Sequence, residues 1–193
     1  GLSSNIEGLN LLNSIPNLIN ITPADINEVI GSYELISKHK RCFSICIGSS
    51  VLKKLPTSNP KYVSFGAYRI KRENASCNAI FISSGTFLAK VIKYKEELIT
   101  YGIDARVVSM PSKSLFELQN VRYLEQLLPK CIKTFVFTES TSDIWNKYAT
   151  SSEYIFSIDK YIKSGTYNEV INDLSLDDDE IKSRIITLMK DAE

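Results

Sequence analysis

Residues 79–110 admit few folds. Ala79-Ile80-Phe81-Ile82 is a short apolar run, and Ser83-Ser84-Gly85 turns the chain. Leu88, Val91, Ile92, Leu98 and Ile99 then recur at helical spacing, which predicts an amphipathic helix. Gly102 is placed to stop that helix, because the residue after a helix end often adopts the left-handed conformation. Ile103 to Met110 alternates and ends at Pro111, as a strand should. Two strands joined by a helix run parallel and cross over right-handed. Thr134-Phe135-Val136-Phe137 predicts a third strand. Helices are expected at 141–149 and 166–174. A last amphipathic helix over 177–190 should turn Ile181, Ile185, Ile186 and Met189 inward. The acidic run Asp177 to Glu180 sits where that helix begins, so it caps the positive end of the dipole rather than holding a metal.

The first part of the chain repeats the pattern in brief. Ile19 to Ile21 is apolar, and Pro23-Ala24-Asp25 opens a helix whose stripe is Ile26, Val29, Ile30, Tyr33 and Ile36. Phe43 to Ile47 predicts a buried strand ended by Gly48. Between the two blocks, residues 57–65 carry Thr57, Ser58, Asn59 and Pro60, which are loop residues by chemistry. The expected fold is α/β: a three-layer domain with a mostly parallel sheet and helices on both faces, preceded by a partial α/β unit. That leading unit holds too little sheet to close on itself, so it should expose a strand edge or apolar surface and need a partner.

Charge excludes some functions. With 23 basic and 22 acidic residues the net charge is +1, so no field of one sign attracts nucleic acid or an anionic membrane. No apolar stretch approaches the roughly 20 residues that cross a bilayer, and no signal-peptide pattern is present. Cys42, Cys46, Cys77 and Cys131 fit no CxxC spacing; they read as free thiols, with Cys42 and Cys46 buried, in a reducing cytoplasmic setting. The chain starts with Gly1 rather than Met, which leads us to expect a processed or truncated product.

Several residues could carry chemistry. His39 is the sole histidine and lies in the charged turn Lys38-His39-Lys40-Arg41, which favours a solvated role and excludes a multi-histidine zinc site. Ser83-Ser84-Gly85-Thr86 joins a strand to a helix, where backbone amides can hold an anion; a tight capped turn is the favoured reading. Glu139 ends a strand at the sheet edge where ligands collect, and reads as structural or interfacial. Trp145, Tyr148 and Tyr154 read as core or contact aromatics. Asp159 with Lys160 or Lys163 reads as a surface ion pair.

A larger pattern resembles transketolase. Asn5-Ile6-Glu7 and Ile15-Pro16-Asn17-Leu18 are similar to the stretch after that family's Thr-His-Gln-Pro motif. Pro23-Ala24-Asp25 with Asn27-Glu28 resembles its Pro-Ala-Asp-x-Asn-Glu, and Gly66-Ala67-Tyr68 the start of its C-terminal domain. Ser84-Gly85 falls at its Thr-Gly-Ser turn, and Arg106 to Pro111 resembles a further block. Glu139, Trp145 and Tyr148, then Ser157-Ile158-Asp159-Lys160-Tyr161, follow in family order. The resemblance implies residues 1–56 as the end of a pyrimidine-binding domain, 57–65 as a linker and 66–193 as a Rossmann-like C-terminal domain. It implies an enzyme that moves two-carbon ketol units between sugar phosphates. The parent would use thiamine diphosphate and a divalent metal, as a homodimer with active sites between subunits.

The cofactor and metal ligands of the family lie upstream of Gly1, so the resemblance assigns no catalytic, cofactor or metal residue here. It also marks two departures. The substrate-contacting histidine of Thr-His-Gln-Pro falls near Ser4, and the phosphate-binding arginine of Ser-Arg-Gln near Ser50. Serine cannot replace an arginine fork, although Lys53 or Lys54 could supply a point charge. Three functions follow in order: a transketolase C-terminal fragment that supports assembly with the remaining N-terminal domains and the dimer; a degenerate paralogue with a regulatory or structural role; a small-anion or nucleotide-binding module. The chain alone should be inactive.

Overall fold

The computed structural model describes residues 7–48, 53–160 and 176–190. The positions of Ser4 and Ser50, Lys163 and the helix expected at 166–174 lie outside the described residues.

Two sheets organise the chain. The smaller pairs β1 (Leu18–Ile21) with β2 (Cys42–Ile45) in parallel, joined by α2 (Ile26–Lys38) and preceded by α1 (Gly8–Ser14). The larger has five strands in the order β3-β5-β4-β6-β7. These are β3 (Tyr68–Lys71), β4 (Ala79–Ser83), β5 (Ala105–Ser109), β6 (Lys133–Phe137) and β7 (Ile155–Phe156). Only β3 runs antiparallel, against β5; the others are parallel. Central strands of a parallel sheet are covered on both faces, and every residue of β4 is buried.

Alternation along the strands divides the core. Phe81, Val107, Phe135 and Phe137 face α3 (Leu88–Leu98) and α6 (Asp178–Lys190), meeting Leu88, Val91, Leu98, Ile181 and Ile185. Ile80, Ile82, Val108 and Val136 face the other way, toward Phe116 of α4 (Lys113–Glu117), Leu127 of α5 (Val121–Leu127) and Trp145. The result is the expected three-layer α/β domain. α3 passes into a 3-10 turn, Ile99–Tyr101, and Gly102 ends it with φ +78, as its position in the sequence predicts. The short helices α4 and α5 were not expected; Ser112 and Asn120 cap them by accepting from Leu115 N and Tyr123 N.

Two expectations are corrected. The helix expected over 141–149 is only a 3-10 turn, Asp143–Trp145. Asp159 holds the Ser142 amide at 2.8 Å, and Thr150 exchanges hydrogen bonds with Thr134. The segment is thus pinned at both ends while Trp145 enters the core. The strand expected over 43–47 is only half-buried, with Ile47 half in water, because β2 has a single neighbouring strand. Cys42 is exposed and Cys46 half-buried for the same reason.

The sequence gives the α2 stripe no direction, and the structure supplies one. The apolar stripe does not face the core: Ile26, Ile30 and Tyr33 are exposed, and Glu28, Gly31, Ser32 and Leu35 are buried. The buried side rests on the 3-10 turn Pro60–Phe65, so part of the 57–65 stretch is packed against the helix. Gly31 allows this approach, since a Cβ there would stand 2.2 Å from the Pro60 carbonyl oxygen and 2.7 Å from Val63. Gly31→Ala should therefore cost about 1–3 kcal/mol through overpacking, read as a lower midpoint in urea unfolding. An unchanged midpoint would contradict the close seat of α2 on this turn.

Candidate functional site: a buried carboxylate between the two sheets

The turn Pro23-Ala24-Asp25 starts α2 by side-chain capping. Asp25 is the N-cap, and its Oδ1 accepts from Glu28 N at 3.0 Å. Its Oδ2 accepts from Leu55 N at 2.9 Å and from the Ser58 hydroxyl. Asn27 donates to both the carbonyl and the hydroxyl of Ser58. One acid thereby fastens the helix start to the loop that precedes the five-stranded sheet.

Glu28 extends the network across the chain. Its Oε2 accepts from Ala24 N at 2.7 Å. Its Oε1 accepts from Tyr68 Oη on β3 at 2.7 Å and from Ser109 Oγ at the end of β5 at 2.5 Å. Glu28, Asp25 and Ser109 have no measurable exposure. Burial pushes the Glu28 carboxyl above its ordinary value of 4.5, against the opposing pull of the Ser109, Ala24 and Tyr68 hydrogen bonds; Asp25 adds to the rise. Burial and the Glu28 charge likewise keep the Tyr68 phenol protonated. Every oxygen of both acids already has donors, so the cluster binds helix to sheet and offers no free group to a substrate.

The residues singled out from the sequence are dispersed. His39 is exposed at the C-terminal end of α2. At the Ser84-Gly85-Thr86 turn, the Gly85 amide is given to the Thr22 carbonyl at 3.3 Å. The Thr86 hydroxyl donates to the exposed Glu139 carboxylate at 2.6 and 2.7 Å. A carboxylate at that point repels an anion, so the turn is a tight strand-to-helix junction, and the Ser84 side chain makes no capping hydrogen bond there. Trp145 and Tyr154 are core residues; Tyr148 is half-buried and donates to Glu117 at 2.5 Å. Asp159 accepts from Ser142 N and from Ser157 Oγ, so hydrogen bonds replace the expected pairing with Lys160.

Other charged groups are also committed. Lys113 lies with its Nζ 3.6 Å from the Trp145 ring centroid, and removal from water pulls its ammonium down to about 7. Arg106 grips Glu73 at 2.8 and 3.3 Å and holds that carboxyl down to about 2. Buried Lys95 pairs with Asp104 at 3.8 Å. Among the described residues no cluster of three or more His, Cys, Asp or Glu side chains could hold a metal. No helix among them is long and apolar enough to cross a membrane.

The raised Glu28 carboxyl has a signed consequence. The folded protein keeps this proton at pH values where the unfolded chain has lost it. The stability so contributed is full below about 4.5 and is lost as pH rises through the folded value. Glu28→Gln turns an acceptor facing the Ala24 amide into a donor and should cost about 1–3 kcal/mol near pH 4.5. The gap between wild type and variant should narrow as pH rises through the folded value. Urea unfolding of both proteins from pH 4.5 to 8 checks this; a gap independent of pH would contradict it.

Residues 66–177 match the transketolase-like TK C-terminal domain family. The transketolase of Halalkalibacterium halodurans is 29% identical over 192 residues, covering 96% of this chain and 28% of that protein. The chain thus spans a little over a quarter of this curated relative. The solved structure of transketolase from Leishmania mexicana superposes with a TM-score of 0.87 at 21% identity, covering 96% of this chain and 27% of that one. A split-gene transketolase, described as an inactive beta4 tetramer, superposes at 0.75 with 16% identity, covering 96% of this chain and 62% of that one.

Proposed function

The chain belongs to the transketolase family, and we propose that it serves as the C-terminal part of an enzyme moving two-carbon ketol units between sugar phosphates. On this reading residues 1–56 close a pyrimidine-binding domain, 57–65 link it onward and 66–193 form the C-terminal domain. Thiamine diphosphate and its divalent metal would be held by the N-terminal domains, outside these residues. The share of this chain is assembly: it presents a rigid sheet and an apolar helix face to the rest of the enzyme and to a second copy.

One observation carries this reading. α2 is inverted, with its acid and small residues inside and Ile26, Ile30 and Tyr33 in water. Three large apolar side chains at i, i+4 and i+7 lie on one helix face, and such a continuous exposed face marks an interaction surface. The buried acids Asp25 and Glu28 orient that face rigidly, because the same helix start is pinned to Leu55, Ser58, Tyr68 and Ser109.

A second reading, a paralogue without turnover, is favoured by Ser4 and Ser50, near which the resemblance would place a histidine and an arginine. Neither can grip a sugar phosphate as those residues do.

Co-expression with the thiamine-binding portion of the enzyme tests both. The chain alone should show no ketol transfer with thiamine diphosphate and magnesium, and the co-expressed pair should co-purify and turn over. Ile30→Glu should abolish co-purification while changing the chain's own unfolding free energy by no more than about 0.5 kcal/mol, as expected at an exposed site. Assembly unaffected by Ile30→Glu would overturn the assembly role. Assembly without turnover would favour the second reading.

A further inference from the structure

The cleft beside the edge strand β3 has the composition of a ligand site. It encloses about 310 Å³, at the small end of the range for small-molecule pockets. Phe65 and Tyr123 stack at 5.3 Å between centroids with an interplanar angle of 27°. Tyr62 stands 6.3 Å from Phe65 and 5.3 Å from Tyr68. Tyr62 and Phe65 are 43% and 38% exposed, so two large rings are left partly in water at the mouth of a concave site. Flat rings receive another flat ring at low entropic cost, through offset or tilted stacking.

The polar groups of the cleft fall into two kinds. Arg106 is already used, by Glu73 and by the Gln126 and Leu127 carbonyls at 2.9 and 3.1 Å. Arg69 is not. The alternation of β3 turns it outward between buried Tyr68 and Ile70. Among the described residues its guanidinium makes no hydrogen bond or close ion pair, although its charge acts on the Glu73 carboxyl that Arg106 grips, and the Gln126 side-chain amide is uncommitted. A guanidinium whose N–H groups are free of hydrogen bonds, beside aromatic walls, suits a carboxylate or phosphate on the edge of a planar ring, held by a two-point fork.

We propose that this cleft binds a small planar aromatic anion, with its ring against Tyr62, Phe65 and Tyr123 and its acidic group on Arg69 and Gln126. The site meets the buried Glu28 network only through Tyr68, whose ring lines the cleft while its hydroxyl donates to Glu28, and it is formed by other residues than the outward face of α2. It does not depend on whether the parent enzyme turns over.

Titration of the purified protein with four probes tests this, read by calorimetry and by ring-proton shifts of Tyr62, Phe65 and Tyr123. Adenosine 5′-monophosphate and indole-3-acetate carry both ring and anion, adenosine only the ring, and ribose 5-phosphate only the anion. At least one of the first two should bind saturably and shift those three rings; which one binds tells phosphate from carboxylate. The last two should bind at least about tenfold more weakly, the loss expected for a missing charged contact or stacking wall. Arg69→Gln, a change at an exposed position, should weaken the anion by about tenfold or more, and Tyr62→Ala should weaken it as well. Absence of saturable binding by either aromatic anion would overturn the proposal. So would binding of adenosine or ribose 5-phosphate as tight as the aromatic anion, or no effect of Arg69→Gln.

Discussion

The Glu28 carboxylate is the point on which the two halves of this structure meet. A carboxylate leaves water at high cost unless donors replace the lost hydration. Here a backbone amide, a phenol and a serine hydroxyl do so, and they come from the helix start, from β3 and from the end of β5. Each donor would be left buried and unsatisfied without the acid, so the arrangement is mutually dependent. Asp25 repeats the device one turn away by holding Leu55 and Ser58. The helix that carries both acids therefore has its polar side fixed against protein, and its apolar side is turned to solvent by default.

That inversion explains what the sequence could and could not show. The period of Ile26, Ile30 and Tyr33 correctly marks one face of a helix, but periodicity does not say on which side the protein lies. In an ordinary domain the apolar face packs inward; here capping and a close glycine contact at Gly31 decide otherwise. In the larger sheet no such conflict exists. The β4–α3–β5 unit is legible in the spacing of Leu88, Val91 and Leu98 and in Gly102, because local pattern and tertiary packing agree. β3 was not legible, since four residues on an edge strand carry too little pattern. α4 and α5 left a weak signal in their caps, Ser112 and Asn120.

The site was legible only in part. Asp25 and Glu28 stand out at the mouth of a helix, three residues apart, as a capping pair should. Their distant partners do not: Tyr68 and Ser109 lie 40 and 81 positions from Glu28. Only the closed fold brings them together. The Ser-Ser-Gly turn shows the reverse case. Its sequence suits an anion, but Glu139, distant in the chain, brings a carboxylate to the Thr86 hydroxyl.

One buried acid makes the small sheet a cooperative part of the large one. Hydrogen exchange at the amides of β1 and β2, compared with β4 and β5, measures this in wild type and in Glu28→Ala. The β1–β2 amides should be protected in wild type, and Glu28→Ala should strip that protection while leaving β4 and β5 slow. Equal protection of β1–β2 in both proteins would contradict it.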